Sequence, residues 1–186
     1  MKKNVCLCVL ALSLVATGLS ANDEIPHAYD EWPGALGLFV SSLATNPGYG
    51  IHYHYSFGRL GVSATLGGYY DPGNKLYSDQ VLYYSIFSTL QYRVYGHTFS
   101  PGLSTQLYSW VLGGHIGSID WVEGPVGSYT SVHGPYKADF VAGLGIGIEL
   151  IFRGHLSIPL EFGYVGQFPN DKIVSFTFAS GVRYRF

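Results

Sequence analysis

The sequence predicts an all-β protein, an eight-stranded antiparallel up-and-down β-barrel that crosses a membrane, and three observations carry that prediction. Charge is scarce: 12% of the residues are Asp, Glu, Lys or Arg, where a soluble domain carries about 25%, and the chain holds 25 glycines and 16 tyrosines. Apolar and polar residues alternate in segment after segment with a period of two, which is the period of a strand with two unlike faces. No segment after the first 21 residues is long and apolar enough to be a spanning helix. Because lipid leaves no partner for an exposed backbone N–H or C=O, a closed barrel is then the remaining way to span it.

Residues 1–21 are read as a secretory signal peptide. Lys2 and Lys3 precede an apolar run, 5–16, that is too short to cross a bilayer, and small residues follow it. Cleavage is placed after Ala21, with Gly18 as the alternative. Cys6 and Cys8 lie ahead of most of the apolar run, the wrong place for a lipidation cysteine, so the mature chain is expected to be free of cysteine. Residues 22–186 are then one barrel domain of 165 residues with eight basic against twelve acidic side chains. That acidic balance argues against a nucleic-acid partner, which would need a basic stripe.

The acidic, proline-containing stretch 22–33 reads as an irregular lead. Strand one is placed at 35–43 and closed by Thr45, Asn46, Pro47 and Gly48, a turn signal. In strand two, 49–57, Ile51, Tyr53, Tyr55 and Phe57 alternate with His52, His54 and Ser56. A tight connection, 58–60, leads to strand three, 61–70, and a loop at 71–79 follows. Strand four, 80–95, sets Leu82, Tyr84, Ile86, Leu90 and Tyr92 against Ser85, Thr89, Gln91 and Arg93. The stretch 96–102, with Gly96, Pro101 and Gly102, reads as a connection. Strand five, 103–116, has an open facing, since Leu103, Leu107 and Val111 lie opposite Tyr108, Trp110 and Leu112.

Residues 117–137 form the longest irregular segment, with Trp121, Tyr129, His133 and Tyr136 as candidate contact residues of an exposed loop. Strand six, 138–152, puts Phe140, Leu144, Ile146, Ile148, Leu150 and Phe152 on one face and Asp139, Gly143, Gly145, Gly147 and Glu149 on the other. After the turn 153–155, strand seven alternates Leu156, Ile158, Leu160, Phe162 and Tyr164 with Ser157, Pro159, Glu161 and Gln167. The last strand, 173–186, places Val174, Phe176, Phe178, Val182, Tyr184 and Phe186 on one face and Ser175, Thr177, Gly181, Arg183 and Arg185 on the other. Short and long connections segregate to opposite ends, as expected for a barrel with short periplasmic turns and longer external loops, and strands four, five and six are long enough to project beyond the outer surface.

The terminal Val182-Arg183-Tyr184-Arg185-Phe186 resembles the C-terminal assembly signal of bacterial outer-membrane β-barrel proteins, and the mature chain as a whole resembles the OmpX and OmpW class of small barrels. The resemblance implies residence in the bacterial outer membrane among its lipids and recognition of Val182, Tyr184 and Phe186 by the barrel-assembly machinery. The OmpW type is associated with passage of small hydrophobic compounds.

With the aromatic face toward lipid, the lumen is expected to hold His52, His54, Arg93, Asp139, Glu149, Glu161, Arg183 and Arg185. Buried carboxylates and guanidiniums would pair into a plug, because an isolated buried charge is costly. The inward Gly143, Gly145 and Gly147 admit two readings: room for long side chains from neighbouring strands, or a continuous path for small solutes. The path gives a narrow channel as the expected function. The alternative is a surface barrel with a plugged lumen that binds a host ligand through the 117–137 loop. His52 and His54 on one strand face could hold Zn²⁺ only if a third ligand converged. His155, Ser157 and Glu161 invite comparison with the hydrolytic triad of outer-membrane lipid A deacylases, but His155 lies in a turn and Glu161 sits near Ser157 on the same side. No cofactor, metal or enzymatic activity is therefore expected.

Overall fold

The computed structural model describes residues 28–43, 46–71, 80–100, 102–122, 132–133, 137–168 and 174–186. The signal peptide assigned to 1–21 lies outside them. A helical turn, Ala28–Glu31, leads into β1 (Gly34–Leu43), β2 (Asn46–Phe57), β3 (Leu60–Asp71), β4 (Gln80–Ser100), β5 (Leu103–Val122), the two-residue β6 (Val132–His133), β7 (Lys137–Phe152), β8 (Leu156–Phe168) and β9 (Val174–Arg185). Each long strand pairs antiparallel with its sequence neighbour, and β9 pairs with β1, so eight strands close a ring. β6 adds two residues to the outer end of β5. No described helix is long and apolar enough to cross a membrane, whereas a closed ring of strands leaves no backbone edge in lipid.

The register fixes the shape of the barrel. From Arg185, the chain of paired residues runs through Ala35, His54, Ser63, Thr89, Leu112, Gly143 and Val165 and returns to β9 at Ser175, ten residues from its start. A stagger of that size over eight strands corresponds to a tilt of about 40°. All nine residues face inward, so the path climbs as a spiral along the lumen from its inner toward its outer end.

The alternation read from the sequence holds. Leu38, Ile51, Leu66, Val111, Ile146, Phe176, Val182, Tyr184 and Phe186 are all more than half exposed, while their chain neighbours on the other face are buried or half-buried. An apolar exterior around a polar interior inverts the soluble arrangement, and it is the exterior hydrocarbon requires. Strand five is resolved with Tyr108 and Trp110 buried inside and Leu107 and Val111 outside.

Four boundaries differ from expectation. The stretch 96–102 is no loop: β4 runs to Ser100 and pairs down to Leu103. Register shifts between Arg93 and Tyr95 and between Thr98 and Ser100 each insert an extra residue, which bends a strand and reverses its alternation. At the other end β5 continues to Val122, β6 takes Val132 and His133, and β7 begins at Lys137, so these parts of the stretch expected to be irregular are strand. Pro47 and Gly48 lie within β2, paired with Ser42 and Ser41. The lead before β1 contains a helical turn rather than being wholly irregular. The short turns are as expected: Gly58 (φ 58°) turns β2 into β3, and Arg153 (φ 50°) and Gly154 (φ 75°) turn β7 into β8. Arg153 adopts a conformation unusual for a side-chain-bearing residue.

Candidate functional site, the lumen

The strand ends that carry these short turns, the start of β1 and the end of β9 define the inner end of the barrel. Seven of the eight predicted lumenal residues are brought there and buried: His52, His54, Arg93, Glu149, Glu161, Arg183 and Arg185. The eighth, Asp139, keeps the inward register but sits at the outer end of β7, half-buried and opposite Ile116.

Glu149 is the hub. Its Oε1 is ion-paired with Arg183 Nη2 at 2.8 Å and accepts from Arg185 Nη1 at 3.0 Å, and all three side chains are fully buried. Its Oε2 accepts from Gln106 Nε2, which the register places directly opposite on β5. Arg183 Nη1 donates to His52 Nε2 at 3.0 Å. That nitrogen must therefore carry the lone pair, and His52 Nδ1–H is left to donate to Thr65 Oγ1 at 2.8 Å. With both ring nitrogens engaged, His52 offers nothing to a metal. Among the described residues no group of three or more His, Cys, Asp or Glu is placed to hold one. His54 reaches Ser56 Oγ at 3.0 Å instead; its ring lies over Gly61, where a Cβ would stand 2.7 Å from it.

Glu161 forms a second centre further out. Its Oε1 accepts from Tyr108 OH at 2.9 Å and from Gln91 Nε2 at 3.2 Å. Alternation alone found these carboxylates but not the neutral partners that satisfy them, because Gln91, Gln106 and Tyr108 come from strands distant in sequence.

Above this network the lumen turns apolar. Phe87, Tyr108, Trp110, Val141 and Val165 form a buried cluster, with Leu112 and Ile116 packed against it. The inward glycines hold these side chains. A Cβ on Gly147 would fall on the Tyr108 ring, one on Gly145 or Gly163 on the Trp110 indole, and one on Gly114 on Phe87. Trp110 Nε1 donates to the Ile146 carbonyl at 3.1 Å, so the indole is fixed as well as packed. Between the two regions lies a cavity of about 30 Å³, bounded by Phe39, His52, Thr65, Trp110, Glu161 and Thr177. The glycines therefore supply room for aromatic rings.

The other sequence-derived candidates separate. His155 Nδ1 donates to the Arg185 carbonyl at 3.0 Å and its ring stacks on Tyr184, while Ser157 is fully buried in the lumen. In the outer segment, Trp121 belongs to β5 and its backbone pairs with Gln80 and His133, so neither residue lies in a free loop. Tyr129 and Tyr136 lie outside the described residues. Val182 and Tyr184 on β9 and Phe186 just past its end face outward, each more than half exposed.

No protein-family model matches the chain, and no curated relative does. Solved structures do. The N-terminal β-barrel domain of Pseudomonas aeruginosa OprF superposes with a TM-score of 0.53 at 16% identity, over 82% of this chain and 96% of that one. Outer membrane protein H (OprH) from P. aeruginosa gives 0.54 at 18% identity, over 83% and 99%. The fold is that of a small bacterial outer-membrane β-barrel. At these identities the likeness speaks for architecture, and the apolar belt described above is the surface such a barrel presents to that membrane.

Proposed function

We propose that this outer-membrane barrel uses its lumen as a structural plug and acts at the cell surface, through the strands that rise past the outer rim. The observation that carries this reading is the occupancy of the lumen: Tyr108 and Trp110 fill the spaces over Gly147, Gly145 and Gly163, directly above a carboxylate clamped by two guanidiniums. A solute path through this barrel would require both layers to move. At the outer end, by contrast, β4 and β5 stay paired as far as Gln80 and Trp121, well past the last pair of β1 with β2. The rim there is aromatic: Tyr69 stacks with Tyr83 and Tyr84 with His115. Rigid aromatic side chains make effective anchors for a partner. In this reading the exterior binds outer-membrane lipid, β9 serves recognition by the assembly machinery, and the chain carries out no catalytic step.

The test pairs conductance with binding. The refolded protein is expected to be electrically silent in a planar bilayer, and Tyr69→Ala with Tyr84→Ala at the outer rim is expected to abolish binding to host cells or surface ligands while the barrel folds. Discrete single-channel openings in the intact protein, altered by Glu149→Gln, would support the narrow channel for small solutes in its place.

A further inference from the structure

We propose that residues 28–33 are a latch that seals the inner mouth of the barrel. The segment enters β1 at Gly34 and could leave the mouth clear, yet it makes contacts on opposite sides of the ring. Asp30 Oδ1 lies 3.6 Å from Arg93 Nη1 on β4. The Pro33 carbonyl accepts from Ser56 N on β2 at 2.9 Å. Arg185 Nε on β9 donates to the Trp32 carbonyl at 3.2 Å. The Trp32 ring rests on His155 with centroids 4.5 Å apart, and a Cβ on Gly154 would stand 3.2 Å from the indole. Since the ring order runs β4-β3-β2-β1-β9-β8, these contacts stretch from β4 across to the turn that opens β8.

Charge gives an independent reason for the segment to sit there. The inner half of the lumen buries Arg93, Arg183 and Arg185 beside Glu149 and Glu161. Asp30 brings a further carboxylate to this group, 3.6 Å from Arg93. Buried guanidiniums need compensation, so the latch is drawn to the mouth by the same cluster that it covers. Asp30 is itself partly exposed, which makes this tie weak and reversible, as a latch requires. Lifting the segment would open the polar inner half to the periplasm while the aromatic layer around Trp110 still closed the barrel above it.

Accessibility of a buried thiol reads the latch directly, and this inference stands or falls apart from the outer-rim reading. Cysteine occurs only at positions 6 and 8, so Ser157→Cys, a near-isosteric change at a fully buried lumenal position near the inner end, provides the reporter in the barrel domain. Labelling by a membrane-impermeant maleimide is expected to be slow when the latch is intact and at least tenfold faster after Asp30→Ala with Trp32→Ala. Asp30→Glu with Trp32→Phe is expected to restore protection. Equal labelling rates with and without the latch residues, in barrels whose circular dichroism shows intact sheet, would overturn the proposal. Loss of the sheet signal in the double alanine variant would overturn it too, by making the segment a folding element.

Discussion

In the inner half of the lumen a carboxylate is held by two guanidiniums and an amide, whereas in the outer half buried rings and aliphatic side chains close on glycines. Both halves exclude water, by different means. The inner half is held as a set, with Glu149 joining Arg183, Arg185 and Gln106, so the loss of one member strands the others. The outer half depends on volume, and its glycines matter for what stands opposite them. Tyr108 joins the two, with its ring in the apolar cluster and its hydroxyl on Glu161.

Removal of the hub should have the largest effect. Glu149→Ala leaves Arg183 and Arg185 buried without their carboxylate, and a loss of about 3–5 kcal/mol is expected from denaturant unfolding of the refolded barrel. A loss under about 1 kcal/mol would mean that water reaches the inner half freely, and the contrast between the halves would collapse. Trp110→Ala should cost about 3 kcal/mol by the same measurement, as truncation of a buried aromatic does. It should also enlarge the space beneath it without producing conductance, because the ionic layer still closes the barrel; discrete openings in this variant would place the whole barrier in the aromatic layer.

Two glycines sharpen the comparison further. Gly147→Ala drives a methyl into the Tyr108 ring and should cost about 1–3 kcal/mol, whereas Gly113→Ala, which faces open space on the lipid side, should lie within about 0.5 kcal/mol of the parent. Equal costs would show that backbone freedom, not packing against aromatics, governs both positions. The smallest effect belongs to Asp30→Asn at the mouth, under about 1 kcal/mol because the carboxylate is partly exposed; its consequence should be seen in thiol accessibility rather than in the unfolding midpoint.

Much of this architecture was legible in alternation. Residues such as Ile51 and His52, or Phe162 and Glu161, declare their faces because one face meets hydrocarbon and the other does not. The reading failed where β4 passes Arg93: the two register shifts there reverse the alternation, and with Gly96, Pro101 and Gly102 nearby, a paired hairpin looks like a loop. It also stayed open in β5, since both faces of 103–116 are apolar. Gly145 and Gly147 on β7, paired with Trp110 and Tyr108, decide the matter by leaving inward space for rings, and that pairing joins residues more than thirty positions apart.

The sequence by itself determined a closed all-β membrane barrel, its number of spanning strands, and which side chains turn to the lumen, because a two-residue period is a local property that each segment carries alone. Only the tertiary structure decided that Glu149 is shared by Arg183 and Arg185, that the glycine spaces are filled by Tyr108 and Trp110, and that Trp32 lies across the inner mouth. Those outcomes depend on the stagger between strands, which is set by closure of the whole ring and is written in no single segment.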